Sequence, residues 1–193
     1  MSDPNHSDSG RWHRRGYLPH YDPEHNLQSV TFRLADSIPR HALERCVDEM
    51  NRLPDGDLRY RRRLEQLMDS GLGECWLGKA EVAGLMQQQL LLGHRSAYEL
   101  HAWVIMPNHV HVLYRPAEGQ TLGSVVGRWK SCVAHDVNRL FARSGALWMR
   151  ECWDRFIRDE EHYHRAVDYI HANPVKARLV VRPEDWPWSS AGS

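Results

Sequence analysis

A proline–asparagine step followed by two histidines two residues apart constrains this chain more than any other feature. The stretch reads Met106-Pro107-Asn108-His109-Val110-His111-Val112-Leu113. Side chains on a strand alternate between faces, so His109 and His111 share one face. Pro107-Asn108 is a turn signal, and the apolar run 100–106 before it reads as a second strand. The expectation is a hairpin whose second strand presents paired imidazoles. A half-buried strand favours apolar residues, so two ring nitrogens there need partners. Neutral imidazole is a common ligand of divalent ions. Water or carbonyls at a sheet surface would satisfy the rings as well, and spacing alone leans slightly toward that plainer reading.

With 193 residues, 41% of them hydrophobic and 26% charged, the chain suits one globular domain with an accessory segment. Residues 1–26 interleave Pro, Gly, His and Asp without a period and are expected to form an irregular N-terminal arm; residues 27–193 are expected to form the domain. No apolar run reaches membrane-spanning length, and residues 1–10 lack a basic-then-apolar leader pattern. A cytoplasmic location, with no membrane partner, is the expectation. Cys46, Cys75, Cys132 and Cys152 are scattered, without the paired spacing of a zinc knuckle or a disulfide framework, so reduced thiols are expected. Net charge is zero, and an anionic partner would have to be met by local basic patches. Eight tryptophans leave stacking on bases open.

In chain order, residues 28–34 alternate Val30, Phe32 and Leu34 against Thr31 and Arg33, a half-buried strand. Ser37-Ile38-Pro39 opens a helix reaching residue 50. A charged second helix covers 58–69, and the two make an accessory hairpin over about 37–70, expected to lie solvated beside the core. A helix follows over 79–92, then the hairpin. Thr121 caps a long helix from 122 to about 142 whose stripe Leu122, Val125, Val126, Trp129, Val133, Val137 faces a core. Residues 147–148 and 155–158 read as short strand-like pieces. Asp159 caps a last helix ending near 172, stopped by Pro174, and a tail places Trp186 and Trp188 against the core. The order strand, helix, strand, strand, helix, strand suggests an α+β sandwich of ferredoxin-like type, an antiparallel sheet with packed helices and the histidine strand held centrally.

In the last helix Arg165, Tyr169 and Asn173 recur every four residues and line one stripe. A core-edge tyrosine and a helix-closing asparagine before proline account for two of them without any chemistry. A chemical reading also exists. Tyrosine can attack phosphorus when its target is polarised. A hard ion held by two imidazoles and an amide oxygen would keep positions for phosphate oxygens and water.

Met106-Pro107-Asn108-His109-Val110-His111, followed by Tyr169-Ile170-His171-Ala172-Asn173-Pro174-Val175-Lys176-Ala177, resembles the REP-associated tyrosine transposases, which are single-tyrosine HUH transposases of bacterial insertion-sequence type. The similarity runs over roughly 30–190 and includes Ala102-Trp103, Trp129-Lys130-Ser131, Trp148, Arg155 and the closing Trp186-Pro187-Trp188-Ser189-Ser190. The resemblance implies that His109 and His111 bind a divalent metal, Mg²⁺ or Mn²⁺, with Asn173 as third ligand and Tyr169 as nucleophile. It implies single-stranded DNA folded into palindromic hairpins as substrate, cut and rejoined by a monomer or homodimer. Arg128, Lys130, Arg155 and Arg158 are the candidates for phosphate contacts. One position departs from the family pattern: Arg178 stands where glycine is usual. Two other readings remain: a non-catalytic hairpin-binding protein that keeps the fold, and a zinc scaffold using His109, His111 and a cysteine, for which no cysteine has suitable spacing.

Overall fold

A computed structural model describes residues 11–15, 18–22, 26–52 and 56–192. Its centre is a four-stranded antiparallel sheet of β3 (Gln28–Leu34), β4 (Tyr98–Ile105), β5 (His109–Pro116) and β6 (Trp148–Phe156), ordered β4-β5-β3-β6. Two helices cross between strands: α3 (Ala80–Leu92) precedes β4, and α4 (Leu122–Leu140) links β5 to β6. This is the expected ferredoxin-like α+β arrangement, with β5 flanked on both sides by β4 and β3.

The period of two sorts the sheet residues onto two faces. Val30, Phe32, Val110, Val112 and Tyr114 pack under α3 and α4, together with Val82, Met86, Val126 and Trp129. Trp129 anchors this side: its indole N–H donates to the Tyr98 hydroxyl at 2.8 Å, and that hydroxyl donates to the Leu90 carbonyl at 2.9 Å. Ala102, Val104 and Leu113 point to the other face, where α5 (Glu160–Lys176) packs through Ile170. His109 and His111 alternate with Val110 and Val112, so they share that second face.

Several details differ from the sequence expectation. The two strand-like pieces near 147–158 are one nine-residue strand, β6. Within the stretch expected to be irregular, β1 (Arg11–Arg15) and β2 (Leu18–Asp22) pair antiparallel; backbone pairing asks for no apolar period. Pro174 does not stop α5, which runs on to Lys176. Proline forfeits its own N–H hydrogen bond and crowds the carbonyl one turn back, and near its C-terminal end α5 accommodates both. The helix then closes in a Schellman arrangement: Arg178 N–H donates to the Val175 carbonyl and Leu179 N–H to the Pro174 carbonyl, both at 2.9 Å. Arg178 takes the left-handed conformation, φ 58°, at the position where glycine was expected.

The accessory helices α1 (Arg40–Arg52) and α2 (Gly56–Asp69) are not merely solvated. Ile38, Ala42, Cys46, Leu64 and Met68 make a second small core, closed by Trp153 of β6, on the sheet face that carries the histidines. The tail closes the free edge of β4. Ile105 N–H donates to the Trp188 carbonyl at 2.8 Å and the Trp186 indole donates to the Ile105 carbonyl at 3.0 Å. Among the described residues no helix is long and apolar enough to cross a membrane, and the four cysteines are free thiols.

Candidate active site

β5 fixes the two histidines and α5 brings the tyrosine to them. The His109 and His111 rings meet edge to face with centroids 4.8 Å apart, and the His111 and Tyr169 rings do so at 5.4 Å. Both imidazoles are almost wholly buried, at 1% and 2% exposure. Each is oriented through Nδ1. Thr31 Oγ1, directly across on β3, lies 2.7 Å from His111 Nδ1, and Asn108 Oδ1 lies 2.7 Å from His109 Nδ1. Asn108 is itself pinned, donating to the Met68 and Leu72 carbonyls at 3.0 and 3.1 Å. The hairpin turn is thereby tied to the end of α2.

Burial keeps both rings neutral. It pushes the His109 pKa down to about 3. It holds His111 well below the ordinary histidine value, and the neighbouring His109 ring and Lys176 ammonium also disfavour a proton there. A neutral ring bonded through Nδ1 has its Nε2 lone pair to offer. His109 Nε2 is buried and lacks a hydrogen-bond partner, with an Asp69 carboxylate oxygen 4.0 Å away. Asn173 repeats this pattern. Its Nδ2 donates to the Tyr169 carbonyl at 2.7 Å, one turn back along α5, while Oδ1 is buried and unpartnered.

Tyr169 is partly buried, and burial raises its pKa well above the ordinary phenol value, with the Glu65 and Asp69 carboxylates adding to the rise. Its hydroxyl donates a hydrogen bond to Glu65. The Lys176 ammonium lies 4.3 Å from the centre of its ring. Beside Tyr169 opens a cleft of about 390 Å³ whose lining includes Thr31, Glu65, Arg155, His162 and Arg165.

The fold therefore assembles His109, His111, Tyr169 and Asn173, which the sequence singled out together. It separates the four basic candidates. Arg155 lines the cleft, and exposed Arg158 follows the same strand, its guanidinium 5.5 Å from the Phe156 ring. Arg128 and Lys130 sit on α4, across the sheet from the tyrosine. Lys130 is also engaged there, donating to the Met149 and Arg150 carbonyls at 2.6 and 2.9 Å. Sequence reasoning missed Thr31, Asn108, Glu65 and Asp69. Register opposite His111 would have found Thr31, and adjacency to His109 would have found Asn108. No local signal marks the two carboxylates of α2.

Residues 89–173 match the family model described as "Transposase IS200 like", a span that contains both histidines, Tyr169 and Asn173. The REP-associated tyrosine transposase of Escherichia coli K12 is 33% identical over 96 residues, covering 48% of this chain and 54% of that protein. A Haemophilus influenzae protein that carries the same name provisionally is 31% identical over 103 residues, covering 48% of this chain and 58% of that one. The chain thus spans little more than half the length of these relatives. A solved structure of a REP-associated tyrosine transposase bound to a REP hairpin shares the fold, with a TM-score of 0.57 over 93% of this chain and 82% of that one at 20% identity. The family model and the curated relatives bear out the resemblance carried by the motifs, and the solved structure bears out the fold.

Proposed function

We propose that this chain cuts and rejoins single-stranded hairpin DNA, with Tyr169 as nucleophile and a 5′-phosphotyrosine bond as the intermediate. The observation that carries this reading is the meeting of His109, His111 and Tyr169 within one chain, at ring separations of 4.8 and 5.4 Å. Similarity to transposases, one of them bound to a REP hairpin, supports the choice of substrate.

The donors present suit Mg²⁺ or Mn²⁺. His109 Nε2 and Asn173 Oδ1 are buried polar atoms with no other partner, and the Nδ1 atoms of both histidines are already engaged. No group of three or more His, Cys, Asp and Glu residues able to hold a metal occurs among the described residues. An ion would be held by His109, His111 and the amide of Asn173, a short set that leaves room for phosphate oxygens and water. When bound, the ion offsets negative charge on the non-bridging oxygens and on the departing 3′-oxygen.

The chain's own residues do the rest. Tyr169 Oη attacks phosphorus, the bond from phosphorus to O3′ breaks, and the strand on the 3′ side of the cut stays on the tyrosine through its 5′-phosphate. Arg155, in the cleft beside it, meets a flanking phosphate. A second 3′-hydroxyl reverses the step and joins strands. Bond energy is conserved in the phosphotyrosine, so rejoining needs no nucleotide cofactor. The test is to incubate the protein with single-stranded REP-hairpin DNA and Mn²⁺ and run a denaturing gel. Wild type gives a protein–DNA adduct and Tyr169→Phe gives none. A native gel shift without any adduct in wild type would replace this reading with a binding-only one.

A further inference from the structure

We propose that Glu65, carried to the site by the accessory helix α2, is the base that takes the phenolic proton of Tyr169 as the tyrosine attacks. The inference rests on Tyr169 being the nucleophile. It concerns a residue outside the matched span, which begins at residue 89.

A phenol carries its proton in neutral solution, and a neutral phenol is a weak nucleophile at phosphorus. Its proton must leave as the new bond forms, so an acceptor within hydrogen-bond reach is required. Glu65 already accepts the hydrogen bond of the Tyr169 hydroxyl and lines the same cleft.

The neighbouring candidates are oriented toward other groups. His111 Nδ1 is held by Thr31 Oγ1 at 2.7 Å. His162 Nδ1 accepts the Arg158 N–H at 3.3 Å. Asp69 approaches His109 Nε2 at 4.0 Å, one helical turn beyond Glu65.

The groups facing Glu65 set its protonation. Burial and Asp69 on α2 favour the acid, while Arg155 on β6 and Lys176 on α5 favour the carboxylate. Asp154 of β6 and His162 and Arg165 of α5 complete the charged lining of the cleft. A glutamate whose pKa lies above the ordinary carboxylate value is a better proton acceptor than a solvated one.

The step balances. Tyr169 Oη bonds to phosphorus, the bond to O3′ breaks, and the phenolic proton passes to the Glu65 carboxylate. The departing 3′-oxygen takes a proton from water. In rejoining, the attacking 3′-hydroxyl gives its proton to water, and the tyrosine oxygen leaves while recovering its proton from Glu65.

Single-turnover adduct formation on REP-hairpin DNA with Mn²⁺, followed against pH, tests this. Wild type should show a rate that falls on the acid side as Glu65 protonates. Glu65→Gln should be slower by about 10²- to 10⁴-fold and lose that acid limb, with hairpin Kd within about threefold of wild type. Glu65→Asp should recover part of the rate, as should added formate with Glu65→Ala. Adduct formation by Glu65→Gln at the wild-type rate, or with the wild-type acid limb, overturns the assignment. So does failure of both rescues in folded variants. An adduct formed equally by Tyr169→Phe, or none formed by wild type, instead defeats the reading of Tyr169 as nucleophile.

Discussion

The ring of Tyr169 stands edge to face against the ring of His111 of the same chain, centroids 5.4 Å apart. A site complete within one chain needs no exchange of helices between subunits. Mixing Tyr169→Phe with His109→Ala protein should therefore restore no adduct formation on hairpin DNA. Recovery of a substantial fraction of wild-type activity in the mixture would show that Tyr169 works with the histidines of another copy.

Thr31 and His111 face each other across β3 and β5. Thr31→Val keeps the volume and removes the 2.7 Å contact to Nδ1. Stability should fall by about 1 kcal/mol. Mn²⁺ affinity should fall by about 10- to 100-fold, because the partner that sets the tautomer and angle of the ring is lost. Titration calorimetry with Mn²⁺ and no DNA reads this directly. Unchanged affinity would mean that His111 does not hold the ion.

Asn108 ties the hairpin turn to α2 through two carbonyls and to His109 through Nδ1. Asn108→Ala strands two buried groups and the half-buried Leu72 carbonyl, a loss of about 2 to 4 kcal/mol. Urea unfolding monitored by tryptophan fluorescence should show it, and a loss below about 1 kcal/mol would mean that the tie between the turn and α2 is weak.

At Arg178, with φ 58°, a β-carbon is strained where glycine is not. Arg178→Gly should raise stability by about 0.5 to 1 kcal/mol, read as a higher Tm with unchanged DNA binding. A lower Tm would contradict the backbone assignment.

His109 titrates near 6.5 in the unfolded chain and at about 3 when folded. Below pH 6.5 the unfolded state therefore binds the extra proton, and metal-free protein loses stability as pH falls toward 3. The raised pKa values of Glu65 and Asp69 act in the opposite sense, so the histidine contribution is isolated by comparison with His109→Gln. Wild type should lose more of its urea midpoint between pH 7.5 and 5 than the variant does. Equal losses would contradict the buried, neutral imidazole.

Much of this was legible in the sequence because each signal was local. The alternation of residues 109–113, the Asp159 cap and the four-residue spacing of Tyr169 and Asn173 each act within a turn or a strand. β6 was less readable because only Trp148 among its residues is buried, and Arg150, Glu151, Asp154 and Arg155 interrupt any apolar alternation. The role of α2 was not readable at all. Glu65 and Asp69 share one face of a charged helix, and only the packing of Leu64 and Met68 against α1 and of the helix against Trp153 turns that face toward Tyr169. That packing joins residues roughly 100 positions apart, beyond the reach of periodicity or capping.

The central claim is that Tyr169 becomes covalently joined to DNA. Protein incubated with single-stranded REP-hairpin DNA and Mn²⁺, trimmed with nuclease, digested with trypsin and analysed by mass spectrometry locates the bond. The account predicts a nucleotide attached through a 5′-phosphate to Tyr169. A nucleotide on any other residue, or cleaved DNA with no modified peptide, would contradict it.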